Sequence, residues 1–139
     1  MISRLIRIFL IYAVSIVLPS CSQSGQDNWQ VVGDETVDNF RKYLSINTAN
    51  PPGNTTISAN FFKETMEREG IPVELLWTDR ENGKVNVLAR LKGSGNKRPL
   101  MLLNHMDTVP VDESGWSVDP FAGIEKDGYL YGRGALDMK

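Results

Sequence analysis

Leu100-Met101-Leu102-Leu103-Asn104-His105-Met106-Asp107-Thr108-Val109-Pro110 is the stretch on which the reading of the fold turns. Four consecutive apolar residues between Pro99 and Pro110 predict a short strand covered on both faces, as in the central sheet of an α/β domain. A buried helical turn would share that periodicity, and the flanking prolines favour the strand. At the carboxyl end of such a strand, where open α/β sheets place their ligands, stand His105 and Asp107. His105 is the only histidine of the 139 residues.

Working outward, Asp34 is a suitable N-cap for a first helix carrying Val37, Phe40 and Leu44 at helical spacing and ending near Ile46. Asn50-Pro51-Pro52-Gly53-Asn54 must be a loop. Thr55, Thr56 or Ser58 can cap a second helix with Phe61, Phe62 and Met66, which Gly70 terminates. Ile71, Val73, Leu75 and Trp77 alternate with mostly polar neighbours, and so do Val85, Val87, Ala89 and Leu91 across an Asn82-Gly83 turn. The two runs predict an antiparallel hairpin. Asp127-Gly128, between Ile124–Lys126 and Tyr129–Tyr131, predicts another. Gly132-Arg133-Gly134-Ala135-Leu136-Asp137-Met138-Lys139 would open a further helix, with Asp137 in its entering turn. Two helices followed by mixed strands give an α/β fold, three layers α/β/α around a mixed sheet.

The amino terminus reads differently. Arg4 and Arg7 precede an apolar run from Ile8 to Leu18. That run is too short for a bilayer-spanning helix, which takes about 20 residues. It predicts a signal peptide over 1–20. Leu18-Pro19-Ser20-Cys21 resembles a bacterial lipoprotein cleavage box, with Pro19 as a departure, and makes Cys21 the lipidated residue. The plainer alternative is ordinary cleavage nearby, with Cys21 a spare thiol. Either way the protein is expected to be exported to the bacterial cell envelope, and lipidation would anchor it to a membrane. Residues 21–33 read as a polar tether, and 34–139 as the folded part. A net charge of −2 argues against a nucleic-acid partner.

Neutral imidazole and carboxylate suit a zinc ion. Asp107, two residues beyond His105, can fold back onto the second ring nitrogen, fix the tautomer and raise the ring's basicity. The same His-x-Asp equally describes a structural hydrogen-bonded pair, and Asp137 alone equally describes a helix cap. Gly132-x-Gly134 lacks the rest of a phosphate loop, which excludes nucleotide binding as the main reading. Trp116, Pro120 and Phe121 read as packing of the long loop. Arg133 can pair with a carboxylate or stabilise a turn.

Taken together, His105-Met-Asp107-Thr-Val109-Pro110, then Trp116 with Pro120-Phe121, then Asp127 through Lys139 resemble the aminoacylase/carboxypeptidase family of di-zinc metallopeptidases. That family includes acetylornithine deacetylases and succinyl-diaminopimelate desuccinylases, and Asn50-Pro51-Pro52-Gly53 is similar too. The resemblance covers about Thr36 to Lys139 and implies the N-terminal part of a zinc-peptidase catalytic domain. It implies that His105 is a ligand of one zinc, that catalytic Asp107 orients it, and that Asp137 bridges two zinc ions, cobalt or manganese being possible replacements. It also implies hydrolysis of an amide bond near a free carboxylate, in an N-acyl amino acid or a short peptide.

The family pattern continues with a glutamate pair, a further acidic ligand and a second histidine, none of which occurs in residues 1–139. The expectation is a portion of a longer hydrolase, inactive alone, with a homodimer possible only through a later domain. The alternative is a non-catalytic, lipid-tethered remnant or binding module that keeps the fold.

Overall fold

In the computed structural model, which describes residues 28–139, the first helix begins earlier than Asp34 suggests. Asn28 is the N-cap, its side-chain oxygen accepting the Val31 N–H at 3.4 Å, and α1 runs Trp29–Leu44. The tether reading of 21–33 is therefore corrected over 29–33, which are helical. Nothing in Trp-Gln-Val-Val breaks a helix. The single Gly33 costs only about 1 kcal/mol, and Gln30 donates to Asp34 at 2.9 Å one turn on. Cys21 and the signal peptide expected over 1–20 lie outside the described residues. The apolar stripe of α1 is buried only at its end: Tyr43 and Leu44 are 3% and 0% exposed, against 74% for Trp29.

Helix α2 spans Thr56–Arg68. The hydroxyl of its N-cap, Thr55, bonds the neighbouring hairpin instead of its own helix, donating to Val85 O at 3.0 Å and accepting from Val85 N at 3.2 Å. One hydroxyl can do both, and so it pins the start of α2 to a strand. The helix ends as Gly70 predicts: Gly70 takes φ +73°, its N–H donates to Glu67 O, and the Ile71 N–H donates to Met66 O. That pair of bonds is a Schellman motif. Phe62 meets Tyr43 of α1 edge-on at 4.6 Å between ring centroids, which locks the two helices.

Strands β1 (Val73–Asp79) and β2 (Lys84–Ala89) form the expected antiparallel hairpin, with Leu75 opposite Val87 and Trp77 opposite Val85. The second hairpin joins β3 (Ile124–Lys126) to β4 (Tyr129–Tyr131). Its turn, Asp127-Gly128, has positive φ at both residues (53° and 78°), the signature of the primed turn that suits strand twist. Gly123 seats this hairpin on α1: Arg41 Nε donates to its carbonyl at 3.4 Å, and a Cβ there would lie 2.5 Å from Arg41 O.

Two expectations are corrected. Leu100–Leu103 forms no strand and is not covered, each residue being at least 74% exposed. A strand exists only with a ladder partner, and none of the described residues offers one to this run. Ladder contact in this region is limited to an isolated parallel bridge between Ala49 and Thr108. Among the described residues, two helices with two separate antiparallel pairs are compatible with a portion of an α/β domain. In the same way, 133–138 forms consecutive turns instead of opening a helix.

Candidate active site

His105 and Asp107, neighbours in sequence, meet Asp137 from 32 positions on at an open cleft of about 660 Å³. The loop bearing the first two is held from below by the segment that follows α1. Thr48 Oγ1 donates to Met106 O at 2.7 Å, Thr108 N to Thr48 O at 3.1 Å, and Asn50 N to Thr108 O at 2.8 Å. Asn50 acts through its side chain as well, Nδ2 donating to Asp107 Oδ2 at 3.0 Å.

Two glycines allow the second motif to approach. A Cβ on Gly132 would lie 3.1 Å from Leu44, and one on Gly134, whose φ is +93°, would lie 2.8 Å from Thr108 Cγ2. The Gly-x-Gly spacing therefore serves close packing, Gly132 against the end of α1 and Gly134 against the His105 loop.

The geometry at His105 is directional. Nδ1 lies 2.8 Å from Asp107 O and 3.5 Å from Asp107 Oδ1, so the main-chain carbonyl is the nearer acceptor and the carboxylate stands behind it. Nε2 faces Asp137 Oδ1 at 3.5 Å. The imidazole pKa is raised, first by the Asp107 carbonyl and then by Asp137, with slight burial opposing. When the ring is neutral and Nδ1–H bonds the carbonyl, the Nε2 lone pair points at a carboxylate. Two electron donors then face each other with nothing between them to neutralise the charge. Ligands about 2.0–2.2 Å from a tetrahedral zinc are about 3.3–3.6 Å apart, which matches the 3.5 Å observed. The donor pair thus fits one edge of a metal site. Among the described residues, no cluster of three or more His, Cys, Asp or Glu surrounds it. Asp137 is 95% exposed, so the pair opens to solvent.

Also lining the cleft, the Arg133 guanidinium lies over the Trp116 ring, 5.3 Å from its centroid. Trp116 is half-buried and lines the cleft, so it packs Arg133 and borders the site at once. Reading the residues singled out neither Thr48 nor the Asn50 side chain. The Asn50-Pro51-Pro52-Gly53 loop signalled a fixed turn, but not that its asparagine would reach across 57 positions.

Residues 101–139 match the model of peptidase family M20/M25/M40. Over 108 residues the chain is 36% identical to aminoacylase-1 of Dictyostelium discoideum, covering 76% of this chain and 26% of that protein. It is 45% identical over 80 residues to acetylornithine deacetylase of Proteus mirabilis, covering 58% and 20% of the two chains. Over 58 residues it is 48% identical to an N-fatty-acyl-amino acid synthase/hydrolase of Bos taurus, covering 41% and 12%. The chain spans about a quarter or less of the length of these relatives.

Proposed function

The chain belongs to the M20/M25/M40 peptidase family, and from that premise we propose that it supplies the first ligands of a metal-dependent amide-bond hydrolase. The observation that carries this reading is the 3.5 Å approach of His105 Nε2 to Asp137 Oδ1 with Nδ1 already committed to the Asp107 carbonyl. His105 and Asp137 would hold zinc, Asp137 bridging to a second ion, and Asp107 with Asn50 behind it would hold the imidazole in the ligating tautomer. A bound zinc would supply Lewis acidity, activating water and polarising the scissile carbonyl.

The substrate class is N-acyl amino acids. The three relatives' names all concern an acyl group on an amino acid, and an open cleft beside the donor pair admits a small molecule of that kind. The remaining ligands and the general base are not among residues 28–139, so this stretch alone should be inactive, within a three-layer domain that needs further strands to cover Leu100–Leu103. Lipidation at Cys21 would place the enzyme on a membrane of the bacterial envelope. A Cys21→Ser protein that stays membrane-bound after export would refute that placement.

The direct test uses the single histidine. In ¹⁵N-labelled protein, zinc should shift the Nε2 resonance of His105, and Asp137→Asn should abolish the shift. An Nε2 signal unmoved by zinc refutes the ligand assignment. Turnover of an N-acyl amino acid by residues 28–139 with zinc would refute the inactivity.

A further inference from the structure

Lys139 stands two residues beyond Asp137, and its ammonium turns away from the cleft into the body of the fold. Nζ donates to Tyr43 O at 3.2 Å and to Ile46 O, and it sits 4.8 Å from the Tyr43 ring centroid. Tyr43 O, in the last turn of α1, also accepts the Ile46 N–H at 3.1 Å, and Ile46 O follows two residues past the helix end, on the side where the helix dipole is negative. Lys139 is half-buried, so these contacts hold a cation that has given up part of its water. The anchor point is firm: Tyr43 is 3% exposed and its ring is wedged against Phe61 and Phe62.

The stretch that receives Lys139 is continuous with the one that holds the His105 loop. Tyr43 and Ile46 take the ammonium. Thr48 and Asn50, two and four residues on, clamp Met106, Asp107 and Thr108. Asp137 itself is almost wholly in solvent, so its own contacts cannot fix its position. We propose that Lys139 is a positioning residue, which sets Asp137 opposite His105 by fastening the second motif to the template that holds the first. Its metal consequence rests on the reading of His105 and Asp137 as a ligand pair, while the positioning stands on the metal-free geometry.

The experiment follows the His105 ¹⁵N resonances without metal, then with zinc. Asp137→Asn should move the Nε2 signal. Lys139→Met should reproduce most of that displacement, while Lys139→Arg, which can reach the same carbonyls, should stay near the unmodified protein. The double variant Lys139→Met/Asp137→Asn should move no further than Asp137→Asn, because coupled residues are not additive. Lys139→Gln, a neutral donor of similar length, takes the place of Lys139→Met if circular dichroism shows the latter unfolded. An unmoved Nε2 signal in Lys139→Met or Asp137→Asn overturns the proposal, and so does full additivity or an Arg variant as displaced as the Met variant. With zinc, Lys139→Met should bind about tenfold more weakly. If the metal-free pattern holds but zinc leaves Nε2 unmoved in the unmodified protein, the ligand reading fails and the positioning survives.

Discussion

Replacing Gly134 with alanine tests whether the two motifs really meet. The backbone there has φ +93°, and an added Cβ would lie 2.8 Å from Thr108 Cγ2 and 3.0 Å from Lys139 Cγ. Carbon atoms prefer about 3.5–4.0 Å, so the methyl must move something by about 0.7 Å or more from its 2.8 Å contact. Thr108 cannot yield cheaply. It is 3% exposed, and its N–H and carbonyl are both tied to the Thr48–Asn50 segment. The left-handed backbone costs a non-glycine residue about 1–2 kcal/mol and overpacking about 1–3 kcal/mol. The expected loss is therefore about 2–5 kcal/mol in urea-induced unfolding. Gly33→Ala is the control: it sits in α1 with nothing within 4 Å and should stabilise by about 0.5–1 kcal/mol. If Gly134→Ala shifts the midpoint no more than Gly33→Ala does, the close approach of the motifs is wrong.

Three further outcomes follow from the same contacts. Leu44→Ala removes a side chain that is 0% exposed and lies against Gly132; it should cost about 2–5 kcal/mol, and urea unfolding that loses far less would show that this is not the core. Asn50→Ala deletes the bond to Asp107 Oδ2 and should weaken zinc binding about tenfold, read by calorimetry; unchanged affinity would exclude it as a support for Asp107. The His105 imidazole, raised in pKa first by the Asp107 carbonyl, should titrate by NMR above a free-peptide histidine at about 6.5. Because the folded value is the higher one, the stability it lends is complete below the unfolded value and disappears as pH rises through the folded value. His105→Gln should remove that part of the pH dependence, and an unchanged profile would refute the shift.

Local chemistry made much of this architecture readable from the residues. Gly70, Asn82-Gly83 and Asp127-Gly128 act within a few bonds of their own backbone, and the turns they predict are found. The His105–Asp107 juxtaposition is equally local, being two residues apart. What escaped was set by distant groups. Leu100–Leu103 has the composition of a covered strand, but covering is a property of neighbours, and among the described residues none arrives. The start of α1 was misplaced because Asp34 and Asn28 are both good caps, and the choice fell to residues between them that merely permit a helix. Thr48 carries no pattern that would announce a bond to Met106, 58 positions away.

The short passage from Tyr43 to Asn50 has a consequence for how the chain can vary in length. Each of its attachments is counted from the end of α1, with Lys139 at the near side and the His105 loop at the far side. Adding or deleting one residue there would put the two motifs out of step with each other in a single event. The stretch 90–99 lies in solvent, and its glycines have nothing within 4 Å. Residues can be gained or lost there without disturbing either donor. Insertions and deletions among related chains should accordingly collect before Leu100 and be absent between Leu44 and Asn50.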